Sequence, residues 1–152
     1  MSASYRTYRL EYELEVQDPD VPGPRFHNVI FVETNADGSG QIHHVTGDLV
    51  TGMIYQVRSE TRPEVSEGFH RKYLIGTISR SDYPDKVDEI LKKIPAPPVQ
   101  KSFNLATMRT EQHKSPGVFY APGEPRPPMI KCTEWTIDQA IPALLEKEVI
   151  QP

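Results

Sequence analysis

The residues best suited to chemistry are one cysteine and a small set of histidines. Cys132 is the only cysteine among 152 residues, and histidines stand at 27, 43, 44, 70 and 113. A thiol attacks as its thiolate, which the unpaired N–H groups and dipole of a helix N-terminus stabilise. Cys132 stands where the proline-dense stretch APGEPRPP, 121–128, gives way to a helical pattern of Trp135, Ile137, Ile141, Leu144, Leu145 and Val149. Lys131 would add positive charge there, and the same amide groups could hold an oxyanion. Packing as a small hydrophobe is the other reading of a lone cysteine.

A nucleophilic thiol needs a base and a group that orients it, and histidine suits both roles near neutral pH. His27, His43 and His44 fall on a predicted hairpin, FHNVIFVE (26–33) and QIHHVTG (41–47), joined by a turn rich in Asn, Asp and Gly. Strand neighbours point to opposite faces, so at most one of His43 and His44 shares a side with His27. Such a pair could also cap the sheet edge or bond to tyrosines. His70 and His113 lie in polar connecting segments and are expected to be solvated.

Several elements must position these groups. YRTYRLEYELEV, 5–16, alternates strictly and predicts a half-buried strand. QDPDVPGPR, 17–25, is a loop. MIYQVRSE, 53–60, and KYLIGTISR, 72–80, predict two further strands across a polar connection. In SDYPDKVDEILKKI, 81–94, Val87, Ile90, Leu91 and Ile94 form a helical stripe; Ser81 or Asp82 can cap it, with Pro84 in its first turn. Residues 101–130 show no period, and the proline-dense 121–128 reads as an ordered surface loop that delivers the chain to Cys132. Pro142 interrupts the last segment, which predicts a kink or a helix from about 132 followed by another from about 142. The fold class expected is α+β in one domain, 1–152: a mainly antiparallel sheet of about five strands, packed with one helix and a C-terminal helix carrying the cysteine.

Composition excludes several function classes. A net charge of −4 argues against nucleic acid, which needs a basic face. One cysteine rules out an intramolecular disulfide, and the histidines lack metal-ligand spacing, so no metal or cofactor is expected. There is no secretory leader and no apolar run of about 18 residues, so the expectation is a cytoplasmic protein without a stable membrane anchor. Strand 5–16, if left uncovered, is an edge through which a homodimer could form.

HNVIFV (27–32), GQIHHVTG (40–47) and KCTEWT (131–136) together resemble the circularly permuted branch of the NlpC-type papain-like hydrolases. That branch includes lecithin:retinol acyltransferase and related phospholipase/acyltransferases, and small fungal proteins of unassigned function resemble the chain more closely still. The resemblance implies a papain-like domain in which Cys132 is the nucleophile, His27 the general base and His44 the orienting histidine. It implies a cysteine-dependent hydrolase or acyltransferase acting on an acyl substrate. Lys131 stands where the family usually has Asn, Pro142 breaks its regular helix, and EVIQP closes the chain without the acyltransferases' apolar tail. A soluble small-molecule or peptide substrate is therefore favoured over a phospholipid. The alternatives are a cyclase or isomerase of secondary metabolism using the same residues for acid–base chemistry, or an inactive binding module.

Overall fold

The computed structural model describes residues 3–14 and 25–152. Its strands are β1 (Ser4–Glu13), β2 (Phe26–Glu33), β3 (Gly40–Asp48), β4 (Gly52–Glu60), β5 (Phe69–Ser79), β6 (Lys101–Asn104), β7 (Arg109–Ser115), β8 (Val118–Phe119) and β9 (Ile150–Gln151). Among the described residues the one regular α-helix of more than two turns is α1 (Asp85–Lys93); a π-helical stretch, Glu134–Ala140, runs into the short α2 (Ile141–Glu146). The expected α+β class is thereby corrected. The protein is mainly β, with an antiparallel six-stranded sheet in the order β4-β3-β2-β1-β5-β9 and a second sheet in the order β6-β7-β8.

The large sheet curls enough that Tyr12 near the end of β1 donates to Glu60 at the end of β4 across two intervening strands (3.0 Å). Period-2 alternation divides its side chains into two cores. On the concave face, Leu10, Tyr12, Val29, Phe31 and Ile42 pack together. On the opposite face, Ile30, Val32 and Val45 pack against Val87 and Leu91 of α1 and against Cys132, Trp135, Ala140 and Leu144. The central strands are buried on both faces, so β2 reads as a nearly continuous apolar run.

Other differences from expectation have local causes. Strand 5–16 is not an edge: β1 lies between β2 and β5, and its described part ends at Glu13. Residues 15–24, most of the predicted loop 17–25, lie outside the described residues. Helix α1 begins only at Asp85, after a short 3₁₀ turn at Arg80–Asp82. The segment 101–119, without a readable period, contains the second sheet, whose strands bury polar groups (Lys101, Gln112 and His113) and so lack an apolar alternation; the proline-dense 121–128 carries no strand or helix. His113 is accordingly buried and bonds to Ser102 Oγ (2.8 Å), whereas His70 is exposed and stacks on Phe26. At Pro142, which has no N–H to offer the preceding turn, the ladder widens: the Ile141 N–H reaches back to Thr136, five residues away.

Candidate functional site

His27 and His44 come together. His27 Nε2 and His44 Nδ1 lie 2.9 Å apart, and the rings meet edge to face. The register explains why: Ile30 pairs with His43 and Phe31 with Ile42, so continuing the pleat puts His44 on the same side as Val29 and His27. Both imidazoles are held well below their usual range, at about 4, first by burial; the Arg58 cation adds to this in each, and in His44 the His27 ring contributes more than Arg58. At neutral pH both are therefore uncharged, and one ring donates to the other. His44 Nε2 is buried without a hydrogen-bond partner. Glu60, at 3.3 Å from Arg58 and 3.0 Å from Tyr12, completes a polar cluster on the concave face.

Cys132 is on the other side of the sheet. Its side chain is buried in the core with Ile30, Val32, Val45 and Trp135, and its thiol donates to the Phe26 carbonyl at 3.8 Å. No hydrogen bond joins it to a histidine; both rings of the pair belong to the opposite parity of β2 and β3. The residues of the pleat that face the cysteine's segment are Asn28 and Ile30, not His27. Asn28 receives Arg9 Nη1 on its Oδ1 (2.6 Å) and donates to Thr133 Oγ1 (2.9 Å), while Thr136 donates to the Asn28 carbonyl (3.2 Å). Glu134 binds Arg25 (2.8 Å) and accepts from the Lys131 N–H (2.8 Å), which fixes the first turn of the helical segment. The three residues proposed as one site are thus divided into a histidine pair and a packed thiol.

His43, of opposite parity to His44 on β3, is the histidine on the helix side. It is fully buried with both nitrogens engaged, Nδ1 to Tyr55 (2.5 Å) and Nε2 to Tyr83 (2.7 Å). Tyr55 in turn donates to Asp88 Oδ1 on α1 (2.8 Å). A carboxylate only accepts, so Tyr55 spends its single proton on Asp88 and must accept from His43 Nδ1–H. Nε2 is then the bare nitrogen and accepts from Tyr83. The polarity of the whole chain, Tyr83 to His43 to Tyr55 to Asp88, follows from its last member. Burial lowers His43 to about 4 although Asp88 pulls the other way. Burial also raises both tyrosines, and Asp88 adds to that. The parity of His43 with Val45 was the available signal for this cluster, but nothing in the sequence pointed to Tyr83 and Asp88 as its partners.

Among the described residues no three His, Cys, Asp or Glu side chains lie close enough to hold a metal ion. Clefts of about 350 Å³ beside Glu13 and Gly68 and about 480 Å³ between Ile90 and Val149 are lined by residues other than Cys132, His27 and His44. No helix among the described residues is long and apolar enough to cross a membrane.

A two-faced, curled antiparallel sheet braced by one α-helix and a π-to-α segment defines a mainly β domain. The chain belongs to a family of unknown function (DUF6540), whose model matches residues 13–151. No curated protein and no solved structure matches it.

Proposed function

We propose that the protein works by non-covalent binding, as a β-rich module for a soluble small-molecule or peptide partner, and not through a thiol adduct. The observation that carries this reading is the division of the candidate site: Cys132 packs on the helix side and bonds to a backbone carbonyl, while His27 and His44 bond to each other on the concave side. A thiol without a base at hydrogen-bond reach lacks the general-base activation that a cysteine nucleophile paired with histidine uses. The hydrolase or acyltransferase reading draws on a different observation, the place of Cys132 at the first residue of the helical segment.

Acyl trapping separates the two. The protein is incubated with p-nitrophenyl acetate at neutral pH and its intact mass followed beside that of Cys132→Ser. Binding without covalent chemistry predicts no acetyl group on Cys132 and equal p-nitrophenol release from both proteins. Stoichiometric acetylation that disappears in Cys132→Ser and slows in His27→Ala would overturn it.

A second reading, acid–base catalysis without an adduct, is favoured by the buried, unpartnered Nε2 of His44 beside the Arg58 cation. Titration with acetate tests access: this reading requires the His44 Nε2 resonance to shift, and an unmoved resonance sets it aside.

A further inference from the structure

Strand β4 is one outer edge of the six-stranded sheet, and its backbone shows which of its groups are free. The Met53 N–H bonds to the Pro97 carbonyl (2.9 Å), so it points away from β3. The β3–β4 register runs without a shift from Gly40↔Glu60 to Asp48↔Gly52. Outward groups therefore recur at every second residue: Met53, Tyr55, Val57 and Ser59. Pro97 occupies the first. Among the described residues, no backbone group bonds to the outward N–H of Tyr55, Val57 or Ser59.

The tract Tyr55–Ser59 has only one element of the usual protection of an edge, the charge of Arg58. It contains no proline, no lysine and no bulge, and Val57 at its centre is 43% exposed, with Ile54 just outside it at 58%. An antiparallel copy of the same strand fits this tract in the register centred on Val57; one centred on Arg58 also joins outward groups but sets the two Arg58 cations directly opposite each other. If Val57 faces Val57 of the second copy, Tyr55 faces Ser59 and Ser59 faces Tyr55. Each of these pairs joins outward groups to outward groups and leaves the Pro97-bonded Met53 unused. A register centred on Gln56 would instead set Ser59 against Met53, whose N–H is already taken. In the Val57-centred register Arg58 lies opposite Gln56 and Glu60 opposite Ile54, so no like charges stand directly opposite. Arg58 keeps its own Glu60 at 3.3 Å.

We propose that β4 is a self-association edge: two copies pair antiparallel about a two-fold axis at Val57, joining their six-stranded sheets into one. The interface is isologous, as closed dimers require. The inference is independent of how the histidine pair and Cys132 are used.

Sedimentation velocity over a concentration series, with amide exchange by NMR, tests it on the full chain. Two variants are compared, Val57→Pro and Val57→Lys. Proline deletes an N–H that β3 does not use, and lysine sets two cations against each other at the axis. The expected result is a dimer in which the amides of Tyr55, Val57 and Ser59 are protected, and a shift to monomer in both variants while the far-UV CD spectrum is kept. If one variant fails to fold, the other still decides. A wild-type monomer at every concentration would overturn the proposal and leave the edge to some other partner. A dimer that survives in the folded variants would overturn it too.

Discussion

His27 Nε2 and His44 Nδ1 are 2.9 Å apart on the concave face of the sheet, and His44 Nε2 beyond them has no partner. Two neutral imidazoles satisfy each other there because strands β2 and β3 carry them to the same side of the pleat. The pair is accordingly a feature of sheet register before it is a feature of any chemistry.

Acid should weaken this protein early. His27, His43 and His44 each sit at about 4 in the fold against an ordinary 6.5, so the unfolded chain binds more protons between those values. Stability is then fully present above about pH 6.5 and is lost as pH falls from there toward about 4; at about pH 5 each histidine removes about 2 kcal/mol. Urea midpoints measured across that window should fall steeply. A flat profile would show that the imidazoles are not buried as described.

The Tyr83–His43–Tyr55–Asp88 chain ties α1 to the sheet, and breaking it should cost stability. His43→Leu strands the Tyr83 hydroxyl, and Tyr83→Phe leaves His43 Nε2 bare; each should cost about 1–3 kcal/mol. Because the two act on one hydrogen bond, the double variant should cost less than the sum. Additive losses in urea denaturation would mean that the two residues are not coupled.

Gly76 marks the place where the C-terminal strand meets β5. Its φ is +147°, and a Cβ there would come within 2.3 Å of the Gln151 carbonyl oxygen. Gly76→Ala should destabilise by about 1–3 kcal/mol through backbone strain, more if β9 detaches. Loss of amide protection at Gln151 in the variant would locate the effect.

Cys132 should behave as a packed residue. It is 5% exposed, so iodoacetamide should reach it only through opening of the structure, far more slowly than it reaches free cysteine. Cys132→Ala should cost on the order of 1 kcal/mol, the usual size for a single substitution. Rapid alkylation in the native protein would show a thiol that is accessible and activated.

The sequence carried a good part of this structure. The strand 26–33 was legible in full because its β-branched and aromatic run is bounded by turn residues, and the two-sided burial of β2 explains its apolar continuity. The pleat also limited His27 to a single partner from 43 and 44, and the structure makes that partner His44. Which face the helical segment would cover was not legible. Asn28 and His27 are equally plausible neighbours for Cys132 until tertiary packing puts Thr133 against Asn28. The second sheet was hidden because Gln112 and His113 are buried through hydrogen bonds to the Pro127 carbonyl and Ser102, which leave no hydrophobic period to read. Strand β9 is two residues long, too short for any pattern.

The central claim is that the sheet separates the thiol from the histidine pair. Nuclear Overhauser contacts from the two imidazole rings test this directly. The predicted spectrum has cross-peaks between the His27 and His44 rings and none from either ring to the β-protons of Cys132. A cross-peak between the His27 ring and Cys132 would contradict the account and restore the thiol and its base to one site.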